Sequence, residues 1–286
     1  MSKPEGSEVP QVPPPPGAPS PAEGSAVFRP LPDPDSAPPT DPGQRHARGD
    51  TPSTAFWVPW TWLEAIGVVV IAQLIAIVLL SLIAAFYPER LETLQAPLSG
   101  LTFALATVGW VAVRHRGDVG RLLGPVRPAA RHLLTGVGYG IGGFVVVVLG
   151  FGSLLQFVAD RLGIELPPVQ EQLNELAQNP ETLPFLAIAV IAMAPIGEEL
   201  FFRGLLFQAL RRRLHLWPAI GLSGVAFALV HLEPLAMLTV FPLGMWFAWI
   251  FHRSGSLLVP VVAHAIFNAI TLGAMLAAPR MAQTGI

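Results

Sequence analysis

From residue 57 onward the chain alternates long apolar stretches with short polar ones. The apolar stretches fall near 58–86, 96–113, 133–159, 183–210, 217–232, 234–251 and 256–278. A helix needs about 20 apolar residues to cross the hydrocarbon core of a bilayer, and most of these stretches meet that length. Backbone polar groups in lipid must be satisfied within the segment, so apolar runs of this kind are expected as helices. The pattern therefore predicts an all-α, polytopic transmembrane helix bundle over residues 57–286. About seven spans are expected. The fifth and sixth are short and meet at Pro234, either a tight turn or a kink, which widens the count to six to eight.

Residues 1–56 follow a different pattern. They hold half of the chain's 30 prolines, in runs such as "VPPPPGAPSP", and very few large apolar side chains. Such a segment buries too little surface to offset the entropy of ordering, so it is expected to be a disordered, Pro-rich tail. A polyproline ligand for a protein partner is the functional alternative. No basic start followed by a short apolar run marks a signal peptide.

The polar stretches between the spans carry an alternating charge. "RHRGDVGRLLGPVRPAARH" (114–132) and "RRRLH" (211–215) are basic and "HR" (252–253) weakly so, whereas 87–95 and 160–182 are acidic or mixed. Lys and Arg accumulate in short cytoplasmic loops. That rule puts the N-terminal tail in the cytoplasm of a multi-pass protein, with a bacterial cell membrane as the expected location. Composition agrees: 52% of residues are hydrophobic and 13% charged, against about a quarter charged in soluble domains. The formal net charge of −2, with no basic face, gives no reason to expect nucleic acid. The chain has no cysteine, so disulfides, thiolate metal sites and cysteine nucleophiles are excluded.

One nucleotide-like motif dissolves on inspection. "GVGYGIGG" contains Gly138, Gly140 and Gly143 in G-x-G-x-x-G spacing, yet no strand precedes it and an aliphatic run follows. Gly136 and Gly140, four apart, fit better as a close contact between two membrane helices.

The informative residues are polar ones at membrane depth. "PIGEELFFRG" (195–204) sets two carboxylates and an arginine in an apolar run, where an ionised group costs roughly 2.5–3.5 kcal/mol. Glu199 and Arg203 stand four apart with the acid first, the favourable order for an ion pair on one helix face. Glu198 points elsewhere and needs another partner. His231 ends "FALVH", and His264 and Asn268 lie one turn apart in "HAIFN"; each would leave polar atoms unsatisfied if it faced lipid. They are expected to converge inside the bundle. Pro195 removes the donor for the Ile191 carbonyl and Gly197 follows, so a bend is expected just before Glu198. A carboxylate, two imidazoles and an amide around water make a workable hydrolytic site, with the carboxylate as general base and the polar donors opposing a developing oxyanion. Taken singly, a polar group of this kind is more often a helix-packing hydrogen bond than a catalyst.

As an ensemble, "EELFFRG", "FALVH" and "HAIFN" resemble the three motifs of the CPBP intramembrane proteases, which include the type II CAAX prenyl endopeptidases and bacteriocin-processing proteins. The resemblance covers residues 183–278. It implies an intramembrane endopeptidase acting on a membrane protein or peptide, CAAX-like tails among the candidates. It further implies Glu198 as the base that activates water, His231 as a water ligand, and His264 with Asn268 as the oxyanion pair. Glu199 and Arg203 would buttress the site. No cofactor is expected; the alternative is zinc or another divalent metal on Glu198, His231 and His264, although the H-E-x-x-H signature is absent.

Two rivals carry different chemistry. "GLSG" (221–224) has the form of a rhomboid serine nucleophile at Ser223, but rhomboids place their H-x-x-x-N element before the serine, and here it comes last. A non-catalytic transporter or immunity protein could also bury acids and histidines, as proton relays do. The inverted repeat common in transporters is not found in the sequence.

Overall fold

The computed structural model describes residues 58–165, 177, 179–231 and 234–284; the expected disordered tail, 1–56, lies outside them. Within the described residues the chain is helical, with no strand. Seven long helical segments follow one another: α1 (Trp62–Phe86), α2 (Leu91–Arg114), α3 (Arg131–Leu162), α4 (Leu183–Arg211), α5 (Leu216–Leu229), α6 (Pro234–Ser254) and α7 (Leu258–Thr284). Each overlaps one of the expected apolar stretches. Five of them, α1, α2 with its leading 3₁₀ turn, α3, α4 and α7, are long and apolar enough to cross a membrane. The chain is an integral membrane protein. Helix α5 is apolar but only 14 residues long. Pro234 marks a turn: it opens α6, where its missing N–H breaks no helical bond.

Large apolar side chains on α1 and α3, Leu74, Ile77 and Val146 among them, are more than half exposed, as a lipid-facing surface requires. The core is aromatic. Phe201, Phe202, Phe207, Phe227, Phe247 and Phe251 are buried and meet largely edge to face. Glycines set the closest helix approaches. A Cβ on Gly136 or Gly140 would lie 2.6 Å from Val262 or the Ala263 carbonyl, so these two residues let α3 press against α7. Gly143 meets Trp246, and Gly138 faces open space.

The basic stretches share one end of the bundle. The α2–α3 connection is tied to the α6–α7 connection by Val126 N–H to the Gly255 carbonyl (2.9 Å) and Leu257 N–H to the Leu123 carbonyl (2.8 Å). Gln208, near the end of α4, donates to the Arg121 carbonyl (2.7 Å). The start of α1 joins them: Trp60 donates from its indole to the Leu205 carbonyl (2.9 Å), and Arg212 donates to the Trp60 carbonyl (2.8 Å). Up-and-down threading requires this grouping.

Candidate active site

Helix α4 departs from α-helical geometry on both sides of Glu198. Residues Ala189–Met193 and Leu200–Phe207 are π-helical, a form common at functional sites. In the first stretch the Ala194 N–H bonds the Ala189 carbonyl, five residues back. In that register the next donor would be Pro195, which has none, so its partner carbonyl, that of Val190, loses its helical bond. Asn268 supplies the replacement, donating from Nδ2 to the Val190 carbonyl at 2.8 Å. The irregularity expected before Glu198 is thus a wide turn, and it frees the Val190 carbonyl instead of that of Ile191. Gly197 has a different role from the bend anticipated for it: a Cβ there would collide with the Gly100 carbonyl, and α2 packs against α4 at this point.

Glu199 and Arg203 form the expected pair. Arg203 Nη1 donates to Glu199 Oε1 at 2.9 Å, and both side chains are fully buried. The arginine is also held by the Gly244 carbonyl (2.8 Å) and by the faces of Phe227 and Phe247, 4.6 and 5.3 Å from its guanidinium, while its Nε meets no hydrogen-bond partner among the described residues. Glu199 has a second partner that spacing along one helix could not disclose. His264 Nδ1 lies 3.0 Å from the same Oε1, and its ring stacks on Phe247 at 4.7 Å. The chain Arg203–Glu199–His264 therefore orients the imidazole from behind.

In front of it lies a cavity of about 180 Å³ lined by Glu198, His231, His264, Asn268, Thr271 and apolar neighbours that include Val190 and Leu243. It has room for several water molecules, each about 30 Å³ in the liquid. Glu198 Oε2 is buried and, like Glu199 Oε2, meets no hydrogen-bond partner among the described residues. His231 Nδ1 lies 2.8 Å from the Phe227 carbonyl. A carbonyl only accepts, so Nδ1 carries the proton and Nε2 offers a lone pair. Glu199 and Arg203 do not line the cavity; they form its support.

Residues 180–270 match the family model "Type II CAAX prenyl endopeptidase Rce1-like". Glu198, Glu199, Arg203, His231, His264 and Asn268 fall inside that interval, and Thr271 lies just beyond it. Residues 180–270 are thus similar to an Rce1-like domain. The chain is also 26% identical over 132 residues to the Bacillus subtilis (strain 168) protein "Putative membrane peptidase YdiL", an alignment covering 46% of this chain and 52% of the relative. A second relative, the Escherichia coli "Uncharacterized 24.3 kDa protein", is 27% identical over 158 residues, 54% of this chain and 70% of its own length. The match thus spans about half the length of the Bacillus relative. No solved structure matches.

Glu198, His231 and His264 line one cavity, but among the described residues no three His, Asp or Glu side chains stand close enough to hold a metal ion. As placed, they do not fit a zinc site. Ser223, the rhomboid-like candidate, is fully buried beside Gly224, where α5 packs on α6, and does not line the cavity. Two participants were missed by motif reading. Thr271 lies one turn beyond Asn268 on the same face and was within reach of helical periodicity. The Val190 carbonyl carries no sequence signal, because its release depends on the π turn.

Proposed function

We propose that the chain is an intramembrane endopeptidase that hydrolyses a peptide bond of a membrane-associated substrate with water activated by Glu198. The observation that carries this reading is the Glu198 carboxylate, whose Oε2 meets no hydrogen-bond partner among the described residues and which lines the cavity shared by His231, His264 and Asn268. His231 Nε2 accepts a hydrogen bond from the attacking water and helps to hold it. Glu198 takes the water's proton as the oxygen adds to the scissile carbonyl. The oxyanion so formed faces the His264 and Asn268 side. Glu199, 3.0 Å from His264 Nδ1, fixes the ring so that Nε2 is turned toward that side. Asn268 has a second amide N–H beyond the one given to Val190. Glu198 then returns its proton to the leaving nitrogen as the C–N bond breaks. The match of residues 180–270 to the type II CAAX prenyl endopeptidase family model and the likeness to a protein named as a membrane peptidase support the reaction class.

The test is cleavage of a single-span membrane peptide in proteoliposomes by the wild type and by Glu198→Gln. Loss of a general base costs about 10²–10⁴-fold, so the variant is expected to fall to background. Equal product from both proteins would favour a transporter or immunity role. A chelator arm tests the absence of metal from the reaction: activity is expected to survive it, and loss restored by zinc would assign the site to a metal.

A further inference from the structure

A second cavity, of about 510 Å³, lies between α1, α4 and α5. Its walls include Ile66 and Val69 of α1, Phe202 and Leu206 of α4, and Leu222 and Ala226 of α5. Ile66 and Leu222 are about half exposed, so the cavity is a groove open to the surrounding lipid. It shares no lining residue with the cavity at Glu198. An aromatic wall stands between the two: Phe202 meets Phe227 edge to face at 5.0 Å, and Phe227 lies against His231 and His264.

One end of the groove is polar. It lies where the basic connections meet, since α1 and α5 begin there and α4 ends there. Arg211, Arg212 and Arg213 follow one another at that end. Arg211 and Arg212 donate to the Leu214 and Trp60 carbonyls, each at 2.8 Å. Arg213 is exposed, lines the groove and has no ion pair among the described residues. Glu64, the acid in the first turn of α1, is engaged by Thr61 and His115. Trp62 lines the same end and Trp217 stands at the start of α5; both are exposed, as tryptophans at a membrane interface are.

Away from this end the groove is apolar. At 1.5 Å per residue, Trp62 to Val69 rises about 10 Å and Leu222 to Val230 about 12 Å. That is most of the depth of one leaflet, half of a hydrocarbon core roughly 30 Å thick. An unpaired cation at the interface, above an apolar channel one leaflet deep, is complementary to an acyl chain that carries an anionic phosphate. From this complementarity we infer that the groove between α1, α4 and α5 binds an anionic phospholipid, with one acyl chain along Ile66, Val69 and Ala226 and the phosphate held by Arg213. The inference does not rest on the peptidase reading.

The test is lipid uptake by the full chain in detergent, read by native mass spectrometry during titration with dioleoyl phosphatidylglycerol or dioleoyl phosphatidylcholine. The wild type is expected to take up one phosphatidylglycerol with about fivefold preference, the attraction of one basic residue for an anionic headgroup. Arg213→Gln should erase that preference and Arg213→Lys should keep it. Ala226→Phe fills the apolar part and is expected to weaken both lipids by about tenfold or more. Leu222→Trp, at an exposed position, gives the same reading should Ala226→Phe fail to fold. Phosphatidylglycerol is also expected to raise the unfolding temperature of the wild type more than that of Arg213→Gln, because a ligand stabilises the state that binds it. Equal affinity for the two lipids, a preference that survives Arg213→Gln, or uptake that neither groove-filling variant weakens would overturn the inference. A photoreactive side chain at Ile66 is expected to capture lipid in phosphatidylglycerol nanodiscs; capture of the N-terminal tail or of a second copy in its place would overturn the inference too.

Discussion

Of the two adjacent glutamates, only one lines the cavity, and this difference separates their roles. Each has an Oε2 without a hydrogen-bond partner among the described residues, but the Oε1 of Glu199 is held between Arg203 and His264, away from the cavity, whereas Glu198 faces it. Replacing Glu199 by Gln leaves the Arg203 guanidinium buried without its counter-charge, a loss expected to destabilise the protein by about 3–5 kcal/mol. Thermal unfolding in detergent should show this large drop for Glu199→Gln and little change for Glu198→Gln, even though both lose cleavage. Ser223 is expected to behave differently from either. It is fully buried against α6 and outside the cavity, so Ser223→Ala should cleave at nearly the wild-type rate in the proteoliposome assay. A drop comparable to that of Glu198→Gln would restore the serine mechanism.

Among the helices, small residues decide where the site can form. Helix α7 carries His264 and Asn268, and it is positioned by α3 through Gly136 and Gly140. Gly140→Ala forces a Cβ against the Ala263 carbonyl, immediately before His264, and overpacking of this kind costs about 1–3 kcal/mol. Gly138→Ala, two residues away on an open face, should be neutral or stabilise by up to about 1 kcal/mol, because alanine is the better helix former. Unfolding temperatures of the pair test whether the glycine run serves packing; equal effects would contradict it. The π turns of α4 act at the same scale. They break the α-helical register, and the carbonyl so released anchors Asn268 to α4.

Across the whole bundle, the start of α1 is stitched to α4 by Trp60 and Arg212, and Val58 and Trp60 are fully buried. A chain beginning at residue 57 keeps those anchors. It is expected to fold and to cleave at a rate within about twofold of the full chain, since surface changes away from buried features are usually within about 0.5 kcal/mol. Loss of activity in that truncation, with unfolding unchanged, would show that the Pro-rich tail contributes to substrate handling.

Much of this organisation was legible in the chain alone. Apolar runs of bilayer length admit only helices, because unpaired backbone groups are too costly in lipid, so the seven segments and their approximate limits follow from residue order. Local spacing likewise determined the Glu199–Arg203 pair and the nearness of His264 to Asn268, since both relations are one turn of a single helix. Tertiary structure decided the rest. That His264 also reaches Glu199, that Asn268 holds the Val190 carbonyl, and that Gly197 serves a helix crossing and not a bend depend on which faces of α2, α4 and α7 meet. Those meetings are set by packing between residues tens of positions apart, and no periodicity within one helix records them.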